Sequence, residues 1–322
     1  MARFGYTMMC EQSRPDQLVR DLQAAEAAGF DFSVISDHYA PWLDSQGHSG
    51  YAWSILGAAA HATDAIPLMT YVTCPILRYH PAVVAQKAAT MQILSGGRFR
   101  LGLGAGENLN EHVVGQRWPM VGERHEMLEE AVEIIAALFD GEAPVNRRGR
   151  HFDVESAILY DLPEQRVPIG IAVSGPDSCR LAGEHADAMI AVQPEAQLGE
   201  LFDGAGGAGK PRVGQVAVCW DPDRDMAVRR AHEQFRWFGF GWKVNADLPN
   251  PTAFDAASRN VTPDDVADGI ACGPDTQTHV DAVKAYLDAG FDEVALVQIG
   301  ADTQGDFCAW AQRELLPALR EL

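Results

Sequence analysis

The sequence predicts a single (β/α)₈ barrel that spans residues 1–322. Short apolar runs rich in β-branched residues alternate with amphipathic helical stretches from one end of the chain to the other. Eight such runs match a closed barrel, whereas an open doubly wound sheet usually has fewer units and a dinucleotide fingerprint. No linker divides the chain, and α/β barrels routinely use this much chain for one domain.

The predicted strands are parallel neighbours, because strand–helix alternation implies right-handed crossovers. They cover residues 4–8, 32–36, 68–72, 99–103, 169–173, 188–192, 213–219 and 293–298. The predicted helices cover residues 16–28, 81–94, 123–139, 177–185, 226–234, 276–289 and 306–319. Several of these helices stop at a glycine, which is the expected left-handed cap; Gly29, Gly141 and Gly290 are examples.

Three connections are too long to be simple turns. They cover residues 37–50, 104–122 and 237–263, and each is rich in aromatic side chains. The first two directly follow strands, so in a barrel they lie on the C-terminal face, where active sites form.

The composition excludes several classes of partner. The chain has 25 Lys and Arg against 45 Asp and Glu, a net charge of −20, and it has no basic run that would neutralise a nucleic acid or dock on anionic lipid. No stretch reaches the roughly 18 apolar residues of a membrane span, and no signal peptide is expected. The six cysteines are scattered, as in the reduced proteins of the cytoplasm. We therefore expect a cytoplasmic protein with a small-molecule substrate.

Two glycine-rich segments resemble nucleotide-binding motifs but depart from them. Residues 204–211 nearly form a phosphate loop, yet Pro211 replaces the metal-binding hydroxyl residue and a helix precedes the segment. Residues 102–107 follow a strand, but Glu107 stands where the dinucleotide fingerprint needs glycine. The first segment is interpreted as a flexible connection. The second is either a tight turn or a turn that presents a carboxylate to a flat ligand.

The segment SDHYAPW, residues 36–42, is more informative about chemistry. The predicted strand ends in Asp37 and His38, and histidine is the side chain best suited to move a proton near neutral pH. No histidine pair has metal-ligand spacing and no nucleophile motif is present, so we predict neither a metal site nor a covalent hydrolase. The aromatic run 237–242 is either a packed corner or a lid over a pocket.

Several motifs in the same order give the chain a family resemblance. The segments 36–42, 69–86 and 104–110, followed by 171–176 and 221–223, resemble the luciferase-like flavin and deazaflavin oxidoreductases. The resemblance is strongest to the branch that contains the F420-dependent glucose-6-phosphate dehydrogenases. It runs over nearly the full length of the chain.

The resemblance implies a barrel that binds coenzyme F420, a deazaflavin, at its C-terminal face. It assigns proton transfer to His38, a wall of the reaction site to Trp42, and an acid beside the deazaflavin ring to Glu107. Further positions correspond to cofactor contacts: Asp37, Cys74, Ala105, Gly106 and Asn110, with Ser174, Gly175 and Pro176 near the phosphate tail. The family also carries a non-prolyl cis peptide, which falls here between Tyr71 and Val72, beneath the ligand. Arg180 is a candidate counter-charge for the tail.

The substrate is where the chain departs from this branch. The family's sugar-phosphate enzymes hold the substrate phosphate with lysines, but residues 193–198 and 251–257 contain none and include Glu195. We therefore expect an alcohol or carbonyl substrate that is not a sugar phosphate. Two alternatives stay open: an FMN-dependent monooxygenase of the same superfamily, and a non-catalytic deazaflavin-binding protein. The family also implies a homodimer, with residues 51–62 as one candidate face.

Overall fold

The computed structural model describes residues 2–322, and within them eight parallel strands close into a barrel. Three further strands lie outside the barrel, namely an antiparallel hairpin and one short edge strand. In chain order the strands are β1 (Arg3–Met8), β2 (Phe32–Ile35), β3 (Leu68–Thr70), β4 (Phe99–Leu103), β5 (Val145–Arg148), β6 (Asp153–Ala157), β7 (Ile169–Ala172), β8 (Ala188–Ala191), β9 (Arg212–Cys219), β10 (Ala271–Cys272) and β11 (Glu293–Gln298).

The neighbouring barrel strands follow the order β1-β2-β3-β4-β7-β8-β9-β11, and β11 pairs with β1 to close the ring. This order confirms the predicted barrel and all eight of its predicted strands. The edge strand β10 pairs with the end of β9, and the hairpin β5–β6 is an insertion that the sequence did not predict. The peptide bond between Tyr71 and Val72, directly after β3, is cis, as the family resemblance implied.

The barrel interior is filled by side chains that alternate along the strands. Phe32 and Val34 of β2 pack in one cluster with Met69 of β3 and Ile190 of β8. A side chain on Gly5 of β1 would lie 2.5 Å from the Phe32 ring, so the glycine leaves the space that this ring fills. The interior is therefore a packed core, and the site must lie at the rim of the barrel.

The helices cover the outside of the barrel and also build its C-terminal rim. In chain order they are α1 (Pro15–Ala28), α2 (Ala52–Ala62), α3 (Pro81–Leu94), α4 (Asn108–Glu111), α5 (Val121–Asp140), α6 (Pro176–His185), α7 (Ala196–Phe202), α8 (Arg224–Phe235), α9 (Trp242–Asn245), α10 (Pro251–Ser258), α11 (Pro263–Gly269), α12 (Thr276–Asp288), α13 (Gln304–Trp310) and α14 (Leu316–Leu319). The predicted last helix is two helices joined by one π-helical turn.

The long connections contain short helices rather than open loops. The connection after β4 holds α4, and the one after α8 holds α9 and α10. Residues 203–207 form one irregular π-helical turn before β9, which does not have the strand–loop–helix order of a phosphate loop. Among the described residues, no helix is long and apolar enough to cross a membrane.

Candidate active site

The imidazole of His38 lies between two carboxylates at the C-terminal rim of the barrel. Its Nδ1 is 3.0 Å from Oε1 of Glu11, and its Nε2 is 3.2 Å from Oε2 of Glu107. The three residues follow the ends of β1, β2 and β4. The side chains of His38 and Glu107 are 9% and 13% exposed, so both are largely removed from water yet still reachable from the rim.

Glu11 is a part of the site that the sequence analysis missed. Its side chain is 1% exposed, and its Oε2 accepts a 2.5 Å hydrogen bond from the Ser36 hydroxyl. The Ser36 oxygen in turn accepts the backbone N–H of Cys10 at 3.0 Å. The sequence did contain a signal for Glu11, because this residue follows the end of a predicted strand just as Asp37 and Glu107 do.

The burial and the close carboxylates change the acidity of all three groups. Burial alone would lower the pKa of His38, but the charges of Glu11 and Glu107 outweigh it and raise that pKa to about 9. Burial raises the pKa of Glu107 to about 7, against the opposing charge of His38. Burial would also raise the pKa of Glu11, but His38 and the Ser36 hydroxyl lower it. At neutral pH the proton therefore resides on His38, and Glu107 is close to its own titration point.

Asp37 does not present its carboxylate to the rim, because four side chains hold it inside the chain. Its Oδ2 accepts hydrogen bonds from the Thr73 hydroxyl at 2.7 Å and from the Trp53 indole at 3.1 Å. Its Oδ1 accepts from the Tyr79 hydroxyl at 3.2 Å and from the Arg78 guanidinium at 3.3 Å. Asp37 thus fixes the backbone that carries His38.

Arg78 joins this carboxylate to a second one that sequence reasoning did not single out. The Arg78 guanidinium donates to the Asp37 carbonyl at 2.6 Å and lies 3.4 Å from Oε1 of Glu111. The Arg78 backbone N–H donates to Oε2 of Glu111 at 2.8 Å. Both carboxyl groups are fully buried, and this guanidinium is a cation that they share inside the protein.

Asn110 connects Glu107 to the loop that follows His38. Its side-chain oxygen accepts the backbone N–H of Tyr39 at 2.8 Å, and its side-chain nitrogen donates to Oε2 of Glu107 at 2.9 Å. The same Glu107 oxygen faces His38. Asn110 is 5% exposed, so it holds the acid in position from within the chain.

A stack of aromatic rings covers one side of the histidine. The Trp42 ring lies 4.9 Å from the His38 ring, and Trp42 also stacks on Trp237 at 4.0 Å with the planes 10° apart. The edge of Phe254 in α10 meets the same Trp42 ring at 5.1 Å. Trp237, the first residue of the aromatic run 237–242, therefore packs against the predicted catalytic wall, whereas Phe238, Phe240 and Trp242 are half-buried.

In the turn after β4, the backbone of Gly106 approaches the side chain of Cys74 closely. Gly106 has a φ of +79°, and a Cβ there would lie 2.4 Å from the Cys74 sulfur. Ala105 precedes it on the half-exposed rim, and Val72, of the cis peptide, lies beneath Gly104, where a Cβ would be 2.6 Å from Val72 Cγ2. These residues form one continuous floor between β3 and β4.

The predicted tail-binding residues form a separate group at the end of β7. The backbone N–H groups of Ser174 and Gly175 both donate to the Ser178 hydroxyl, at 3.0 and 3.2 Å, and Pro176 begins α6. Arg180 is committed elsewhere, because it pairs with Glu129 and Glu184. The role of Arg180 as a counter-charge stays a prediction, and the helix N-terminus is the other candidate for the phosphate.

Glu129, Glu184 and His185 also form the one group of potential metal ligands among residues 2–322. Their ligand atoms all lie within 4.8 Å of one another. Because Arg180 pairs with both carboxylates and all of these side chains are partly exposed, the cluster is an ordinary surface ion-pair network.

The fold agrees with comparisons to known proteins. The chain matches the luciferase-like monooxygenase family over residues 2–293 and belongs to that family. An F420-dependent hydroxymycolic acid dehydrogenase of Mycobacterium tuberculosis is 39% identical over 296 residues, which cover 89% of this chain and 80% of the relative. An F420-dependent glucose-6-phosphate dehydrogenase of Microbacterium testaceum is 34% identical, over 99% of this chain and 98% of the relative.

Solved structures also show similarity to F420-dependent enzymes. An F420-dependent secondary alcohol dehydrogenase in complex with an F420–acetone adduct superposes with a TM-score of 0.89 at 28% identity, and 99% of each chain is covered. A coenzyme F420 dependent tetrahydromethanopterin reductase from Methanopyrus kandleri has a TM-score of 0.79 at 21% identity, again over 99% of each chain, and supports the fold alone. The resemblance inferred from the sequence is therefore confirmed.

Proposed function

We propose that this chain is an F420-dependent oxidoreductase that transfers a hydride between the deazaflavin and a small alcohol or carbonyl substrate. The observation that carries the proposal is His38, held between Glu11 and Glu107 at the barrel's C-terminal rim. Relatives of two different substrate classes, and the alcohol dehydrogenase structure, all carry F420 in their names. The FMN-dependent alternative draws on the monooxygenase name of the family and on solved structures below 25% identity, such as one with modified FMN, which speak to the fold alone.

The residues at the rim fit a deazaflavin. A Cβ on Gly175 would meet no atom within 4 Å, so open space lies in front of the α6 N-terminus, where a phosphate tail would lie. Gly106 and Ala105 would carry the ring together with Cys74 and the Tyr71–Val72 peptide. Glu107, with its raised pKa, is a carboxyl that can keep its proton beside a ring nitrogen.

Bound F420 would supply the hydride acceptor at its C5 carbon. When an alcohol is oxidised, its carbon–hydrogen bond breaks with the electron pair and its hydroxyl proton must leave separately. His38 would take that proton at Nε2, while Glu11 stabilises the resulting imidazolium from the Nδ1 side. In the reverse direction the protonated His38 would donate to a carbonyl oxygen. Trp42 excludes water and places a ring face near the positive charge.

The surroundings of His38 favour a substrate without a phosphate. Phe254 is the side chain that α10 sends toward Trp42, in the segment where the sugar-phosphate enzymes of the family are expected to offer a lysine. Glu195 is exposed at the start of α7 and would repel an anion. Arg78, the cation that most affects His38, is committed to Asp37 and Glu111. An uncharged secondary alcohol or ketone suits this apolar corner.

We also propose that the chain forms a homodimer and that it acts in the cytoplasm. Helix α2 buries Trp53, Ile55 and Leu56 inside its own chain, but Tyr51, directly before α2, and Tyr39, after β2, remain 46% and 60% exposed. Exposed aromatic residues are enriched at protein interfaces. Sedimentation velocity at micromolar concentration would give a dimer mass; a monomer at all concentrations would contradict this part of the proposal.

Purified protein titrated with F420 and, separately, with FMN tests the cofactor. We expect saturable F420 binding followed by loss of the oxidised deazaflavin absorbance on addition of a secondary alcohol, and much weaker activity with glucose 6-phosphate. Equal activity on glucose 6-phosphate and on simple alcohols would contradict the assigned substrate class. Tight F420 binding without turnover of any alcohol or ketone would favour a binding protein.

A further inference from the structure

Two cysteines on neighbouring strands take no part in the proposed chemistry. Cys219 ends β9 and Cys272 ends the edge strand β10, and the two residues are direct partners in the register of this parallel pair. Residues that lie opposite each other on neighbouring strands send their side chains to the same face of the sheet. Both thiols therefore lie on one face, and they belong to one packed cluster.

The spacing of these two strands suits a covalent bond between the sulfurs. Neighbouring strands lie about 4.8 Å apart, and a disulfide needs Cα atoms about 4.4–6.8 Å apart. β10 has two residues and pairs with β9 alone, at the edge of the sheet. A strand this short can adjust to the dihedral angle of a disulfide without breaking any other strand pair.

The two thiols differ in acidity, and the difference gives them different roles. A hydrogen bond from Cys219 is the main reason that the pKa of Cys272 lies below the ordinary thiol value; burial opposes this effect and the charge of Arg224 supports it. The same hydrogen bond, together with burial, raises the pKa of Cys219. Cys272 is thus the thiol that ionises first, and the thiolate is the form that reacts with an oxidant.

The other cysteines lack this combination. All six lie within residues 2–322, and Cys272 is 7% exposed, which is more than any of the other five. Burial raises the pKa of the thiol in each of the four cysteines outside the pair, namely Cys10, Cys74, Cys179 and Cys308. The most accessible thiol of the chain is therefore also the most acidic one, and a second thiol lies beside it.

The chain between the two cysteines carries part of the aromatic stack beside His38. Residues 220–271 contain helices α8 to α11, and within them Trp237 and Phe254 pack against Trp42. A bond between the two sulfurs would join the ends of this segment into one closed loop. Such a bond restricts the unfolded chain more when the loop that it closes is long.

We propose that Cys219 and Cys272 form a redox-active dithiol that a peroxide oxidises to a disulfide, which closes residues 220–271 into a covalent loop. This inference is independent of the proposed function, since it uses neither F420 nor His38. Reactive cysteines of this kind combine an acidic, accessible thiol with a second thiol that resolves the first product.

The oxidation takes two steps with hydrogen peroxide as the oxidant. The Cys272 thiolate attacks one peroxide oxygen, so that a sulfur–oxygen bond forms, the oxygen–oxygen bond breaks, and hydroxide leaves and takes up the proton that Cys272 had released. The Cys219 sulfur then attacks the Cys272 sulfur, and the sulfur-bound hydroxyl leaves with the Cys219 proton as water. The two thiols lose two electrons in total, and the peroxide becomes two water molecules.

Thiol counting on the unaltered chain tests the proposal. Brief exposure to hydrogen peroxide near neutral pH, followed by iodoacetamide in denaturant, should leave four alkylated cysteines of the six. A digest should contain the Cys219 peptide joined to the Cys272 peptide, and dithiothreitol should restore six alkylated cysteines. Six alkylated cysteines after peroxide, or a disulfide between any other two cysteines, overturns the proposal.

Single substitutions test the order of the two steps. In Cys219→Ser the oxidised Cys272 meets no thiol, so dimedone, which reacts with sulfenic acids, should label Cys272. In Cys272→Ser neither a disulfide nor a label on Cys219 should form. Label on Cys219 in Cys272→Ser, with none on Cys272 in Cys219→Ser, overturns the assigned roles.

Cys179→Ser is the matched control. Cys179 is as fully buried as Cys219, and its thiol donates to the Leu198 carbonyl at 3.5 Å, a hydrogen bond that serine can keep. This variant should form the disulfide to the same extent as the unaltered chain, with three alkylated cysteines of its five left after peroxide. Loss of the disulfide in Cys179→Ser contradicts the proposal that Cys219 and Cys272 react only with each other.

Discussion

The Nδ1 atom of His38 lies 3.0 Å from Oε1 of Glu11, a carboxylate that is almost completely buried. This contact fixes the orientation of the imidazole, so that Nε2 faces Glu107 and the open rim. Because Glu11 is itself held by the Ser36 hydroxyl at 2.5 Å, the histidine has a charged and rigid support on the side away from the substrate. An acid–base group that must alternate between two protonation states benefits from such a partner.

Removal of the Glu11 charge should lower the pKa of His38. The charge of Glu11 is the main reason that this pKa lies near 9 despite burial, so in Glu11→Gln it should fall by at least one unit toward the ordinary histidine value of 6.5. NMR titration of the ring nitrogens measures this in the unliganded protein. Glu200→Gln, an exposed change on α7, is the control. An unchanged His38 pKa in Glu11→Gln would mean that the contact carries no charge effect.

The two directions of the reaction should depend on pH with opposite signs. Oxidation needs neutral His38 to accept a proton, so kcat/KM for an alcohol should rise with pH up to an inflection near the His38 pKa of about 9. Reduction needs the protonated form, so kcat/KM for a ketone should fall above the same pH. Steady-state rates between pH 6 and 10 give both profiles. Parallel profiles in the two directions would exclude His38 as the shared acid–base group.

Replacement of Arg78 by methionine should destabilise the fold strongly. The guanidinium pairs with the buried carboxyl groups of both Asp37 and Glu111, and loss of one partner of a buried charge cluster costs about 3–5 kcal/mol. Urea unfolding at pH 7 measures the free energy of unfolding. Arg20→Met is the control, because Arg20 and its partner Asp16 are both more than half exposed and their ion pair contributes little. Equal stability of the two variants would contradict the role given to Arg78.

Gly106 should tolerate alanine much less well than Gly115 does. Both residues have positive φ, +79° and +73°, so alanine at either position costs about 1–2 kcal/mol for the left-handed conformation. Only at Gly106 would the new Cβ also strike a neighbour, the Cys74 sulfur at 2.4 Å. We expect Gly106→Ala to lose more stability and to bind F420 more weakly than Gly115→Ala. Equal F420 affinity in both variants would remove Gly106 from the proposed ring-binding floor.

The barrel was predictable because its signals are local and repeated. Strands such as residues 4–8 and 293–298 combine short apolar runs with glycine-capped helices, and the structure has them at the expected positions. The hairpin β5–β6 was not predictable in the same way, since its strands lie largely at the surface and lack a continuous apolar run. The short helix α10 depends on the burial of Phe254 against Trp42, a contact between distant parts of the chain that no local periodicity encodes.

The site was only partly predictable for a related reason. His38, Trp42 and Glu107 follow strand ends and stand in recognisable motifs, so sequence alone indicated them. Glu11 obeys the same rule but has no motif around it, and its contact with His38 spans two strands. The role of Phe254 depends on how α10 folds back onto Trp42, which no local pattern encodes.

Anaerobic mixing of the protein with F420 and a secondary alcohol, compared between the unaltered chain and His38→Ala, tests the central claim most directly. His61→Ala, an exposed change on α2, is the control. We predict F420 reduction that His38→Ala slows by roughly 10²–10⁴-fold at saturating cofactor and that His61→Ala leaves unchanged. F420 reduction by His38→Ala at the rate of the unaltered chain would contradict the claim.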